Sequence, residues 1–365
     1  MTGYSTLSPR ERVLTALEHK PTDAVPFGMG FGVNPPAKEK LREYLGHKTT
    51  AQTSVWLADF SDLRYVTPPF AGPAGREARL AGGAYRDMWG IVRRPFANML
   101  DTYNEIEVYP LGGAKTLADI ADYPWPDPGW FDYDALPAAI DAADGGGDHA
   151  IYAGNGIIFE IAWYMRGLER MMTDLATEPE FSFALMRRIT DFFIAYFDRM
   201  LAAARGKIHI IFTGDDIGGQ HGLLVSPSMW EQLFKPHHAR LNEFLRGRGV
   251  KIMYHSDGSV IDAMDGLIDM GIDVLEAFQL DAARMDPAVI KQKWGDRLCF
   301  HGGVSVQRLL PFGTPEQVGA EVAELISVMG KGGGYILAPS HAIQAGTPPE
   351  NIAAMLRAAR PEKFN

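Results

Sequence analysis

The stretch KIMYHSDGSVIDAMDGLIDMGIDVLEAFQ, residues 251–279, contains the unit that decides the fold. A short apolar run ends at His255, a pattern with helical spacing follows at 260–271, and a second apolar run begins at Asp273. Continuous apolar runs joined by amphipathic helices are typical of parallel strands with crossover connections. This stretch therefore predicts a β-α-β unit in a sheet that is covered on both faces.

The same alternation extends along most of the chain. Eight candidate strands are found, near residues 25, 62, 149, 207, 251, 273, 297 and 335. Eight βα units close into a TIM barrel. A doubly wound open sheet is the alternative, but no G-x-G-x-x-G follows the first candidate strand. We therefore predict an α/β chain in which residues 1–365 form a single (β/α)8 barrel domain.

One region departs from the alternation. Residues 72–95 contain no long helical pattern, several glycines and short alternating runs. They predict a β-hairpin excursion after the second strand. This aromatic excursion and the loop after it (Trp89, Trp125, Trp130), with the acidic character of the chain, are compatible with a homodimer.

Composition narrows the classes of protein. With 46% hydrophobic residues the chain can bury a large core, and the 22% charged content argues against wholesale disorder. A formal charge of −10 argues against nucleic acid or an anionic membrane as a partner. No apolar run approaches the roughly 20 residues that span a bilayer, and the first residues show no signal-peptide pattern. The single cysteine, Cys299, excludes an internal disulfide and a thiolate-rich zinc cluster. We expect a cytoplasmic protein.

Six consecutive candidate strands end in polar or ionisable residues. Enzymes with this fold carry their chemistry at the carboxyl ends of the strands. We therefore predict a functional site built from Asn155, Asp215, Asp216, His255, Asp257, Glu276, His301 and His341.

Three of these residues form a candidate metal site. His255 and Asp257 lie two apart, so on a strand they project the same way, and His341 ends the last strand. Two imidazoles and a carboxylate suit zinc, with iron or manganese as alternatives. Alone, His255 and Asp257 could simply pair or cap a helix, and His341 could be a core histidine bonded to a carbonyl.

Proton transfer is assigned to nearby carboxylates. Asp215 and Asp216 precede a glycine turn and suit a general base, the alternative being helix capping. Glu160 lies in the first turn of a predicted helix, where the helix dipole alone would also favour a carboxylate. His237 and His238 are expected on a helix surface.

Substrate binding is assigned to residues at the strand ends, in the Gly- and Met-rich first strand, and in the excursion. A run rich in glycine and methionine suggests close packing or a pliable pocket wall. For His301 the alternative is a strand-end hydrogen bond. The predicted substrate-binding residues are Met29, Trp89, Asn155, Glu276 and His301.

Several motifs together resemble those of the uroporphyrinogen decarboxylase superfamily, and the resemblance covers nearly the whole chain. It implies a TIM barrel, in agreement with the strand count. The motifs are RERVLTALEHKPTDAVPF (10–27), DMWG (87–90), MRGLERMMTDLATEPE (165–180), SPSMWEQLFKPHHARL (226–241), HGGVSVQRLLPFGTPEQV (301–318) and YILAPSHAIQAGTPPENI (335–352).

Within that superfamily the chain is more similar to the corrinoid-linked methyltransferases, including O-demethylase components. True uroporphyrinogen decarboxylases carry an arginine-rich motif after the first strand, where this chain reads GMGFGVNPP (28–36). The methyltransferases bind zinc through a His-x-Cys and a second Cys near the last strand. The matching positions here read His255-Ser256-Asp257 and Pro339-Ser340-His341, so the resemblance implies a metal of altered identity held by harder ligands.

The resemblance implies a metal-dependent methyltransferase or demethylase acting on a small methylated or methoxylated substrate. No corrinoid-binding D-x-H-x-x-G occurs, so a corrinoid would come on a separate protein. One alternative is a decarboxylase or other lyase acting on a porphyrin or non-porphyrin carboxylate, with Arg64 and Arg86 as candidate anchors. The other is a non-catalytic barrel that binds a ligand.

Overall fold

The computed structural model describes residues 7–97 and 102–364. Eleven strands lie in these residues, and seven of them match strands predicted from the sequence. In chain order the strands are β1 (Leu63–Val66), β2 (Ala78–Arg79), β3 (Tyr85–Arg86), β4 (Val92–Ala97), β5 (Thr102–Val108), β6 (Ala150–Ile157), β7 (Ile210–Gly214), β8 (Lys251–His255), β9 (Val274–Ala277), β10 (Cys299–Val304) and β11 (Tyr335–Pro339).

Fifteen α-helices are described in the same residues. A π-helical turn at Trp230–Phe234 joins α9 to α10. The helices are α1 (Pro9–Leu17), α2 (Pro35–Tyr44), α3 (Thr50–Phe60), α4 (Leu117–Ala121), α5 (Leu136–Asp144), α6 (Phe159–Arg166), α7 (Leu168–Thr177), α8 (Pro179–Ala204), α9 (Pro227–Met229), α10 (Lys235–Gly247), α11 (Met264–Asp269), α12 (Pro287–Trp294), α13 (Leu309–Phe312), α14 (Pro315–Met329) and α15 (Pro349–Ala359).

The main sheet is parallel and curled. Its strand order is β1-β6-β7-β8-β9-β10-β11, so each strand pairs with the next one of this sheet along the chain. Consecutive parallel strands require crossover connections, which the helices provide. The carboxyl ends of all seven strands therefore lie at one end of the sheet.

The predicted first strand is reduced to a short bridging segment. Gly28 N–H donates to Leu337 O, Leu337 N–H to Pro26 O, and Asp62 N–H to Phe27 O, at 2.8 to 2.9 Å, so the segment spans the gap between β11 and β1. An extended strand does not develop because Pro26 has no N–H and Gly30 takes a left-handed φ of 52°. Closure by an eighth strand stays a prediction.

The opposite end of the sheet is closed by α1. Val13 and Leu17 of this helix pack with inward-facing strand residues, including Phe212 and Met253. Cys299 is buried in the same cluster, so the single thiol is a core group. This packing leaves the carboxyl ends of the strands as the accessible end.

The excursion is larger than the predicted hairpin. Strands β2, β3, β4 and β5 form a four-stranded antiparallel sheet in that order. Residues 98–101, which connect β4 to β5, lie outside the described residues. Trp89 is only 5% exposed and its ring centroid lies 4.8 Å from that of Phe192 in α8. Trp89 therefore fixes the excursion to the main sheet's helices instead of offering a surface contact.

Helices long and apolar enough to cross a bilayer do not occur in residues 7–97 and 102–364.

Candidate metal centre

Strands β7 and β8 bring the first carboxylates and the first imidazole together. Their register pairs Gly214 with His255. The loops that follow touch, because a Cβ on Gly258 would lie 2.6 Å from the backbone of Gly218. Gly258 also has a left-handed φ of 80°, which favours glycine. This close approach lets the Asp216 carboxylate accept a hydrogen bond from the backbone N–H of Asp257, at 2.8 Å.

The three residues predicted as metal ligands converge at this point. One ligand atom each from His255, Asp257 and His341 lie within 4.8 Å of one another. His341 Nε2 is 3.9 Å from Asp257 Oδ2. The His255 side chain is 8% exposed, whereas those of Asp257 and His341 are 35% and 39% exposed. The cluster is therefore fixed on one side and reachable from the other.

The spacing of these donors suits a small cation. Ligand bonds of about 2.0–2.2 Å in a tetrahedral site place neighbouring donors about 3.3–3.6 Å apart. The donor atoms lie within 4.8 Å of one another, so their separations exceed this range by about 1.5 Å at most, which side-chain rotations can close. The residues present therefore fit a divalent metal of the kind that imidazole and carboxylate bind.

Glu276 orients His255. Glu276 Oε2 is 2.5 Å from His255 Nδ1, and both groups are buried. Burial would raise the pKa of Glu276, but the charges of His255 and His301 outweigh it and lower that pKa to about 2. Burial likewise opposes charge on His255, but Glu276, Asp216 and Asp257 raise the pKa of His255 to about 10. The residue predicted to bind substrate therefore holds an imidazole in place, as carboxylates do for metal-bound histidines.

Asp216 faces the other nitrogen of the same ring. Its Oδ1 lies 3.4 Å from His255 Nε2, and its side chain is 39% exposed. Asp216 also acts on its neighbour Asp257: burial raises the pKa of Asp257, and the charge of Asp216 adds to this effect, while the charges of His255 and His341 oppose it. Asp216 is thus placed either to act as a base or to join the ligand set.

Asp215 caps a helix. Its carboxylate accepts backbone N–H bonds from Ile158, Phe159 and Glu160 at the start of α6, at 2.8 to 3.0 Å. Its Oδ2 is also 2.6 Å from His238 Nε2. These contacts correspond to the capping alternative, and the catalytic role of Asp215 stays a prediction.

The expectation that His237 and His238 lie on the surface is wrong. They are 3% and 2% exposed. His238 contacts Asp215, and the His237 ring packs on Phe183 with ring centroids 4.3 Å apart. The sequence of α10 did not predict this burial, because the charged residues beside the histidines indicate an exposed face. The residues that contact the two histidines come from other elements.

Glu160 is a half-buried carboxyl group with a raised pKa. Its Oε1 accepts a hydrogen bond of 2.7 Å from the Tyr164 hydroxyl. Burial raises the pKa of Glu160 to about 7, and the charges of Asp215 and Asp216 add to the effect. A carboxyl group with a pKa near the working pH is an effective general acid or base.

A cavity of 510 Å³ adjoins the centre and is lined by four predicted substrate residues, Met29, Asn155, Glu276 and His301. The fifth, Trp89, lines a separate cavity of 240 Å³, which shares Tyr65, Gly154 and Asn155 with the larger one. The larger volume is typical of sites for small molecules.

Phe31, which the sequence did not single out, separates the cavity from the metal-ligand candidates. Its ring centroid lies 4.8 Å from that of His341 and 5.1 Å from that of His255, and the residue is 48% exposed. In the sequence, the one feature that could have indicated Phe31 is its position between Gly30 and Gly32. In the structure both glycines have a left-handed φ. Phe31 therefore forms an apolar wall between the cavity and the ligand cluster.

Comparisons with known proteins give the family context. The profile of the family Uroporphyrinogen decarboxylase (URO-D) matches residues 115–361. A methylated-thiol–coenzyme M methyltransferase of Methanosarcina mazei is 29% identical over 202 residues, 55% of this chain and 50% of that protein. A uroporphyrinogen decarboxylase of Psychromonas ingrahamii is 27% identical over 179 residues, 48% of this chain and 46% of that protein. The matches thus span about half the length of these curated relatives.

A solved methyltransferase from Methanosarcina mazei shares the fold. It superposes with a TM-score of 0.66 at 19% sequence identity, covering 98% of this chain and all of the other.

Proposed function

Because the chain belongs to the uroporphyrinogen decarboxylase family, we propose that it is a metal-dependent methyltransferase or demethylase acting on a small methylated or methoxylated substrate. One observation carries the proposal: donor atoms of His255, Asp257 and His341 lie within 4.8 Å of one another. The 29% identity to a methyltransferase supports the reaction class.

His255, Asp257 and His341 would hold the cation, zinc in the first instance, with iron or manganese as alternatives. When bound, it would supply Lewis-acid polarisation of the substrate or activation of the methyl acceptor. Glu276 fixes the His255 ring so that Nε2 is presented to the cluster. Asp257 is the one carboxylate among the three ligands, so it supplies the ligand set's negative charge.

The remaining residues bind substrate and move protons. In this proposal Met29, Asn155 and His301 contact the substrate in the 510 Å³ cavity, while Trp89 bounds the adjoining one. Glu160 holds or accepts the proton, with Asp216 as the second candidate. Phe31, which lies between the cavity and the ligand cluster, contacts the apolar part of the substrate.

The proposal extends to the assembly. Residues 1–365 form one domain whose sheet closes as an eight-stranded barrel, in which the segment at Phe27 takes the place of the predicted first strand, between β11 and β1. The methyl acceptor or donor is a corrinoid on a separate protein. The chain acts in the cytoplasm, and a homodimer is the expected assembly.

Metal analysis of the purified protein tests the centre. We expect about one equivalent of metal per chain, lost in both His255→Ala and His341→Ala because each removes one of three ligands. His209→Asn is the matched control, since His209 lies at the amino end of β7, away from the strand ends that carry the ligands. Full metal content in both alanine variants would refute the assignment of His255 and His341 as metal ligands.

A carboxy-lyase is the second candidate. The observation in its favour is that Lys38 and Arg64 line the cavity, where they could hold a substrate carboxylate. Arg86 lies in the antiparallel sheet and donates to Gly75 O, so it is not part of this cavity. Release of carbon dioxide from a carboxylated aromatic by chelator-treated protein would favour this activity over methyl transfer.

A further inference from the structure

The two candidate histidine ligands are held in different ways. His255 Nδ1 lies 2.5 Å from the buried carboxylate of Glu276. The imidazole of His341 has no hydrogen bond among the described residues, and the nearest carboxylate oxygen, Asp257 Oδ2, is 3.9 Å away. A histidine that binds a metal almost always donates its other ring N–H to a carboxylate, a carbonyl or water. Glu276 provides such a partner for His255, and the described part of the chain provides none for His341.

An aromatic ring contacts His341 instead. The ring centroids of Phe31 and His341 lie 4.8 Å apart, with 37° between the ring planes. Phe31 is itself braced by the rings of His255 and Phe212, which stand nearly perpendicular to it at centroid distances of 5.1 and 5.8 Å. Aromatic rings at these distances attract one another and have preferred mutual orientations. Contact with Phe31 therefore restrains the orientation of the His341 ring.

The backbone joins the two segments that carry these rings. Ile343 N–H donates to Gly32 O, and Asn34 N–H donates to Ile343 O, both at 2.9 Å. Each of these residues lies within three positions of Phe31 or His341. The contact between the two rings is therefore supported by hydrogen bonds between their loops.

Core packing does not account for the position of Phe31. The residue is 48% exposed and lines the 510 Å³ cavity. A half-exposed aromatic side chain buries only part of its apolar surface, so it gains only part of the free energy that full burial would give. What this position does provide is a ring in contact with both candidate histidine ligands.

We propose that Phe31 is a positioning residue for His341, whose ring it restrains so that a nitrogen faces the ligand cluster, as Glu276 does for His255. A ring that is ordered before the metal arrives loses less entropy when it coordinates. The inference adds a residue to the proposed metal centre. It rests on the proposed function only for the presence of the metal.

Calorimetric titration of chelator-treated protein with Zn²⁺ tests the effect on affinity. We expect Phe31→Ala to weaken binding about two- to tenfold, because one more side chain must then be ordered by the metal. Phe31→Leu, which keeps apolar bulk without the ring, should behave in the same way, and Phe31→Tyr should retain wild-type affinity. Phe312→Ala is the matched control, since it removes a phenylalanine that is 82% exposed and lines neither of the two cavities described above.

Nuclear magnetic relaxation of ¹³C-histidine-labelled, chelator-treated protein tests the contact without metal. The His341 signal is assigned from its loss in His341→Gln. We expect the His341 ring to be more mobile in Phe31→Ala than in wild type and to recover in Phe31→Tyr. The His255 ring, still bonded to Glu276, should be unchanged and is the internal control.

Unchanged or increased Zn²⁺ affinity in Phe31→Ala would overturn this inference, as would equal mobility of the His341 ring in wild type and Phe31→Ala. A loss of affinity in Phe31→Tyr as large as in Phe31→Ala would also overturn it. Each of these results in a wild type that binds metal leaves the proposed function in place. Wild-type protein that takes up none of zinc, iron(II) and manganese(II) would instead overturn the proposed function and this inference together.

Discussion

Asp215 and Asp216 are adjacent carboxylates with different contacts, so the same substitution should have different effects at the two positions. Asp215 is 1% exposed, and its carboxylate meets three backbone N–H groups and His238. Asp216 is 39% exposed and accepts one backbone N–H, that of Asp257. We predict that Asp215→Asn destabilises the fold and that Asp216→Asn does not.

The magnitude follows from the contacts. An asparagine at 215 keeps one acceptor for Ile158 and Glu160, but it turns an amide N–H₂ toward the N–H of Phe159 and toward His238. Losing charge-assisted hydrogen bonds and leaving a buried donor unpaired should lower the free energy of unfolding by about 2–4 kcal/mol. At 216 the amide oxygen can still accept the Asp257 N–H, so the loss should stay within about 1 kcal/mol.

Urea unfolding followed by circular dichroism measures both values, and an unchanged slope with a shifted midpoint would show that stability alone changed. Both variants should be compared as chelator-treated proteins, so that bound metal does not add to the stability of one of them. Equal midpoints for the two variants would refute the assignment of Asp215 to the cap of α6.

Two further predictions concern the backbone contact and the raised pKa. Gly218→Ala should lower the free energy of unfolding by about 1–3 kcal/mol and reduce metal content, because its Cβ would lie 2.6 Å from Asp257 O. In the control variant Gly219→Ala, the new Cβ meets no atom nearer than 3.5 Å, so its stability should be that of wild type. Equal stability of the two variants would contradict the close approach of the two loops. For Glu160, the folded state holds a proton up to pH about 7 while the unfolded state loses it near pH 4.5, so this group's contribution to stability falls as pH rises through that window. Between pH 5 and 8, wild type should therefore lose up to about 3 kcal/mol more than Glu160→Gln, and parallel pH profiles by urea unfolding would show that the pKa is not raised.

The sequence predicted the seven strands of the main sheet because each is a continuous apolar run bounded by turn residues or helix starts. It also predicted that His255, Asp257 and His341 meet, since parallel strands place their carboxyl ends together. It overestimated the first strand, where Pro26 and the left-handed Gly30 limit pairing to a bridge at Phe27.

The roles of individual carboxylates were beyond sequence reasoning, because each depends on a contact from another element. Asp215 became a cap through the N–H groups of α6 and a histidine of α10. Glu276 became the holder of His255 through a buried contact 21 residues away in sequence. In the sequence, all of these residues are alike as polar groups near strand ends.

The same limit applies to charge, and it bears on how a substrate would lie. The acidic composition argued against anionic macromolecules as partners, yet it says nothing about the charge of one cavity, which Lys38 of α2 and Arg64 of β1 line. Carboxylates gather around His255, while Lys38 and Arg64 lie in the wall of the adjoining cavity. A negatively charged group of a substrate would be repelled from Asp216 and Asp257, so an uncharged part of the substrate should face the cluster of His255, Asp257 and His341.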